Sequence, residues 1–198
     1  MNETNNFSIS PLYKVSDWEK ANDAKNWEKM VEIFYDRLEG RFLKPIRLII
    51  NGEKDISNFS GFSILALDCL IIETLQQFYS GENETKGSGT TAFWHFFESS
   101  PYFKDNFSMK TTEIFYSHFR CGLLHQAQTK KKSLIRIGEN TMISQVSDNI
   151  DDGLIVDRAK FHEAIEQEIK HYINLLENND TKLRINFVVK MRFICNPV

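Results

Sequence analysis

The sequence predicts a mainly helical single domain with a small β insertion around residues 133–156, on three observations. Apolar residues recur at helical spacing along most of the chain. The stretch from Ile64 to Leu75 is apolar on nearly every face, as a central enclosed helix would be. Short strand-like segments cluster only between residues 133 and 156. Length agrees, because 198 residues with 41% hydrophobic content can bury a substantial core without disulfides or metal. A net charge of -3 excludes whole-protein attraction to nucleic acid, so any such contact needs a local positive patch. Cys69, Cys121 and Cys195 are odd in number, far apart and set in apolar context, which predicts reduced thiols in a cytoplasm. No CxxC spacing points to zinc, and no metal or cofactor is expected.

From the N-terminus, residues 1–15 read as a flexible arm, with no secretory leader, ahead of one domain over residues 16–198. Ser16 with Glu19 has capping-box spacing, and Trp27, Met30, Val31, Phe34 and Leu38 then recur at helical intervals, so a first helix is expected from Asp17 to Leu38. Pro45 should interrupt the apolar residues beyond that helix, and Asn51-Gly52 with Asp55 to Ser60 supplies turn chemistry. A second helix from about Phe62 to Tyr79 stops at Gly81. It carries two carboxylates, Asp68 and Glu73, that must be buried or face a cleft. Its apolar run falls short of the roughly 20 residues of a membrane span, so no membrane partner is expected.

Residues 81–90 form a loop whose Gly87-Ser88-Gly89 lacks the lysine and strand context of a phosphate-binding loop. Thr91 to Glu98 reads as a short aromatic helix broken at Ser100-Pro101, and Lys110 to Gln126 as a longer one. Ser133 to Ile137 and Thr141 to Val146 flank Gly138-Glu139-Asn140 as a hairpin, with a third strand at Gly153 to Val156. An amphipathic helix starts near Asp157, carries Phe161, Ile165, Ile169, Tyr172 and Leu176 on one face, and ends at Asn178-Asn179-Asp180. The segment Leu183 to Ile194 fits strand and helix alike. Asp180 as a cap favours helix.

The densest chemistry lies from Phe115 to Lys132. Arg120 precedes His125 by five positions, a pattern expected roughly 0.2 times by chance in a chain with this many of each residue, so its weight comes from context. Gly122 between them costs roughly 1 kcal/mol of helix propensity, and close approach of another backbone would compensate. Five helical steps leave the two side chains about 140° apart, so they converge only if arginine reach and a helix end cooperate. Lys130, Lys131, Lys132 and Arg136 supply local positive charge.

A helical domain of this size with Arg-x-x-x-x-His late in a helix resembles the HEPN superfamily, and Phe119-Arg120-Cys121-Gly122-Leu123-Leu124-His125 carries the likeness. The resemblance implies a HEPN-like helical bundle, with the strands as an insertion. It implies a metal-independent endoribonuclease of a toxin-antitoxin or phage-defence system, acting as a homodimer, with RNA as substrate and an antitoxin or defence-system protein as a partner. Arg120 and His125 match the catalytic pair. Asp68, Glu73, Cys121 and His118 are supporting candidates, and Lys130, Lys131, Lys132 and Arg136 would hold the RNA backbone. Many active members place a polar residue after the arginine where this chain has Cys121.

The chemistry is consistent with those residue types. RNA supplies its own 2'-hydroxyl nucleophile, so a site needs a proton-transfer group near neutrality and a planar cation for phosphate, which are the properties of histidine and arginine. The alternative is a non-catalytic module binding RNA, a nucleotide or a protein. Structural roles stay open for the same residues: Arg120 paired to Asp68 or Glu73, His118 as packing, and His162 with Glu166 as surface hydrogen bonding, since no third metal ligand accompanies them.

Overall fold

A computed structural model describes residues 6–85 and 87–196. Residues 1–5 of the expected arm lie outside the described residues. Residues 6–15 close on the body: Ser8 bridges Lys14, Arg37 donates to the Ile9 carbonyl, and the Ile9 side chain is fully buried.

The expected first helix is two helices, α1 (Val15–Asp23) and α2 (Trp27–Leu38). Lys25 between them adopts a left-handed φ of 52°, which no helix continues through, and the Asn26 side chain caps α2 by accepting from Lys29 N. The start also differs from the Ser16 reading. Asp17 accepts from the Lys14 N–H at 2.9 Å, so Lys14 occupies the cap position.

Nor does Pro45 break the chain. A π turn (Glu39–Leu43) carries α2 straight into α3 (Lys44–Ile50), and Pro45 sits in the first turn of α3, where a missing N–H costs least. The expected turn at residues 55–60 is a short helix, α4 (Lys54–Phe59).

Helix α5 (Gly61–Ser80) ends at left-handed Gly81, as expected. It packs against α6 (Gly89–Ser99), α9 (Arg158–Glu177) and α10 (Thr181–Cys195) and buries nine residues, including Leu65, Ile72 and Phe78. By length and composition alone it could span a membrane, but half of its apolar window is buried inside the fold. Asp157 caps α9 and Asp180 caps α10, so the ambiguous C-terminal segment is helical.

Helix α7 (Met109–Phe115), a π turn (Tyr116–Arg120) and α8 (Cys121–Gln126) form one continuous rod. Beneath it Phe115 stacks on Phe119 at 5.3 Å and on Phe161 of α9 at 5.2 Å, while Phe97 and Phe107 stack at 3.8 Å. A second aromatic cluster, Trp18, Phe34, Phe78, Tyr172 and Phe187, holds α1, α2, α5, α9 and α10 together.

The insertion is a three-stranded sheet, but the hairpin is absent. Strands β1 (Leu134–Arg136) and β2 (Ile143–Gln145) do not pair with each other; β3 (Leu154–Asp157) lies between them, parallel to β1 and antiparallel to β2. Burial explains the order. Leu154 and Val156 of β3 are almost completely buried, whereas β1 and β2 are half exposed, so the most apolar strand takes the centre.

Candidate functional site

Arg120 closes the π turn, whose extra residue is marked by the Cys121 N–H bonding back to the Tyr116 carbonyl. Its Nε donates to Glu73 Oε1 of α5 at 2.6 Å, with both side chains 20% exposed. The guanidinium lies 5.5 Å from the centre of the Tyr116 ring. The Glu73 hydrogen bond raises the Arg120 pKa, so the side chain is a fixed cation. Among the described residues no partner engages its Nη1 or Nη2, and the outer fork of donors remains available to an oxyanion.

His125 is exposed in the last turn of α8, just before Ala127 adopts left-handed φ of 51° and ends the helix. Backbone angles are regular from Arg120 onward, so the two side chains leave the helix about 140° apart. Gly122 is explained by its surroundings. A Cβ there would stand 2.5 Å from the Gln128 carbonyl oxygen, so the approaching backbone is the chain's own return after α8 rather than a neighbouring helix.

That return is tied at His118. The Lys130 N–H donates to the His118 carbonyl at 3.0 Å, and His118 Nδ1 shares a 2.9 Å hydrogen bond with Ser133 Oγ, which accepts from Leu154 N at 3.1 Å. His118 is therefore a buried strut. Burial, then Lys131 and Lys130, push its pKa below the ordinary histidine value.

The lysine run is split by its neighbours. Lys130 is half-buried, Lys131 is exposed, and Lys132 pairs with Asp152 at 2.9 Å. Arg136 is exposed on β1, which runs on beyond the return. Cys121 is a half-buried free thiol beside Tyr116.

The two carboxylates of α5 part company. Asp68 is fully buried and accepts from or shares a proton with His162 Nδ1 at 2.8 Å. This overturns the surface reading of His162, which is 5% exposed. Its Nε2 lies 3.9 Å from Glu166 Oε1, and Glu166 in turn accepts from Arg47, which also pairs with Glu39. Burial raises the Asp68 pKa, and among the described residues Asp68 Oδ2 and His162 Nε2 have no hydrogen-bond partner. Among the described residues no three His, Cys, Asp or Glu side chains are placed to hold a metal ion.

Sequence reasoning missed Tyr116. It borders Arg120 on one side and Gly89, the first residue of α6, on the other, where a Cβ would collide with its hydroxyl. Its one sequence signal was a position four residues before Arg120, one turn away on the same rod.

Comparisons with models of known families, with curated proteins and with solved structures found no match to this chain.

Proposed function

We propose that the protein is a metal-independent endoribonuclease of the HEPN type, with Arg120 holding the scissile phosphate and His125 transferring the proton. The observation that carries this reading is the Arg120–Glu73 pair: a carboxylate grips one edge of a partly exposed guanidinium and, among the described residues, leaves the other edge free. Glu73 then acts as a positioning residue, lowering the cost of aligning the cation before phosphate arrives.

The 2'-hydroxyl of the RNA attacks the adjacent phosphorus while the bond to the 5'-oxygen breaks. Products are a 2',3'-cyclic phosphate and a 5'-hydroxyl. A proton leaves the attacking oxygen and another reaches the leaving oxygen. Imidazole is the side chain suited to either transfer at neutral pH, and the exposed ring of His125 is open to substrate. The divergence of Arg120 and His125 along α8 favours a composite site, in which the motif helices of two copies line one cleft. A homodimer is part of the proposal for that reason. Lys130, Lys131 and Arg136 would add backbone attraction, whereas Lys132 shares its charge with Asp152. A toxin or phage-defence role, an antitoxin or defence-system partner and a cytoplasmic location rest on the resemblance.

Cys121 favours a second reading, a HEPN-like module that binds RNA, a nucleotide or a protein without turnover, because it stands where a polar neighbour is common. Labelled RNA incubated with purified protein in chelator separates the two. The catalytic reading expects cleavage by the native chain and its loss in both Arg120→Ala and His125→Ala. Equal cleavage by all three proteins, or none by any, sinks it, and retained RNA binding without cleavage selects the module.

A further inference from the structure

A small cavity of about 200 Å³ opens between the start of α5, strand β1 and the start of α9, away from the Arg120–Glu73 pair. Gly61 and Phe62 of the first turn of α5 form one wall, Ile135 and Arg136 of β1 another, and Arg158, the first residue of α9, a third. The walls are close-set: a Cβ on Gly61 would stand 2.9 Å from Ile135 Cγ2. Among the described residues no aspartate or glutamate lines it.

Arg158 is only 6% exposed. Its Nη2 donates to the Ser57 carbonyl near the end of α4, and its Nη1 is buried with no hydrogen-bond partner among the described residues. Its sequence neighbour Asp157 does not neutralise it by pairing. Asp157 Oδ1 accepts from Ala159 N and Lys160 N at 2.9 and 3.0 Å, and Oδ2 accepts from Glu139 N at 2.7 Å. Among the described residues neither Arg158 nor Arg136 forms an ion pair. A buried guanidinium with an orphaned donor is costly unless something supplies the missing acceptor.

From these residues the geometry points to an oxyanion site for one phosphate group, held between Arg158 and Arg136 at the positive end of α5. Three features agree on the charge of the occupant: the orphaned Nη1 of Arg158, the exposed fork of Arg136, and the N-terminal end of a 20-residue helix, which attracts anions. Size limits it to a group rather than a whole nucleotide, because pockets for drug-sized ligands begin near ~300 Å³. Donors converging from two separate guanidinium groups suit the several oxygens of a tetrahedral phosphate better than a lone halide. Exposed Phe59 and Ile137 at the rim leave an apolar shoulder for whatever carries the phosphate. The phosphate comes from free inorganic phosphate or from a nucleic-acid strand, and both present the same oxygens. The inference does not depend on cleavage at Arg120 and His125.

Titration calorimetry of the full chain with inorganic phosphate, against chloride at equal ionic strength, tests the site. Arg136→Gln and Arg158→Lys are each expected to weaken phosphate binding about tenfold or more, the value of a charged hydrogen bond or two. Lys170→Gln, on the exposed side of α9, should bind as the native chain does. If Arg158→Lys loses its native circular dichroism, Arg136→Gln decides alone, since Arg136 is exposed and its loss leaves the core intact. Phosphate binding no tighter than chloride, or unchanged in Arg136→Gln, overturns the proposal. A second arm adds a short oligoribonucleotide to the phosphate-loaded protein. Displacement assigns the phosphate to a nucleic-acid strand, its absence assigns free phosphate, and either result retains the site.

Discussion

Asp68 and Glu73 sit five residues apart on α5, and each takes a basic partner from another helix, yet the two pairs live in different media. Asp68–His162 is sealed in the core with one atom of each partner unsatisfied. Glu73–Arg120 lies at the surface of the same helix with donors to spare. The sealed pair has nowhere to admit a substrate, and the cost of its burial is set against packing. The partly exposed pair keeps Arg120 donors within reach of solvent. Similar residue types thus divide into a sealed pair and a partly open one according to which face of α5 they occupy.

Breaking the sealed pair should have the largest effect. His162→Ala leaves Asp68 buried and alone and is expected to cost about 3 kcal/mol, read as a fall in the denaturation midpoint. Asp68→Leu with His162→Leu should recover most of that loss, because two apolar side chains of similar volume need no partners. Failure of the double variant to recover stability would mean that the pair orders more than itself.

Gly122→Ala comes next. Its Cβ would press on the Gln128 carbonyl oxygen, so about 1–3 kcal/mol of destabilisation is expected despite the better helix propensity of alanine. Unchanged stability would place the return after α8 under no constraint. Glu73→Gln should cost about 1 kcal/mol in stability, as partly exposed ion pairs do. On the proposed function its RNA cleavage falls further than its stability, in kcat more than in KM. Equal losses in stability and turnover would make Glu73 a structural residue like Asp68.

The smallest effect is a pH slope. Burial holds the folded pKa of His118 below its ordinary value of about 6.5, so the unfolded chain takes up the proton first as pH falls. Its contribution is whole above about 6.5 and is lost as pH drops below that value. Melting midpoints from about pH 8 to 5 should therefore decline less in His118→Gln than in the native chain.

Signals written locally were legible. Asp157, Asp180 and Gly81 fix helix ends within one or two residues of themselves, and the all-round apolarity of α5 announces its central place. The pairing of Glu73 with an arginine was also within reach, because Arg120 already stood out and the apolar helix around Glu73 demanded a partner. The features that escaped were set by distance or by competition. His162 looked like a surface residue at metal-ligand spacing because its true partner lies 94 positions away. The hairpin reading failed because Gly138-Glu139-Asn140 is good turn chemistry, while a more apolar strand arriving later took the place between β1 and β2. A π turn has no residue signature of its own, so the extra residue at Tyr116–Arg120 was invisible.

The central position of β3 also orders events on the ribosome. A nascent chain ending near residue 150 already holds Arg120 and Glu73, but β1 and β2 then have no strand to pair with, and Ser133 lacks the Leu154 N–H that completes its link to His118. β3 runs directly into α9, which packs on α5, so the strand that completes the sheet is continuous with the helical body. The segment around His125 is thus finished late in synthesis, and a truncated product would carry its residues without the frame that fixes them.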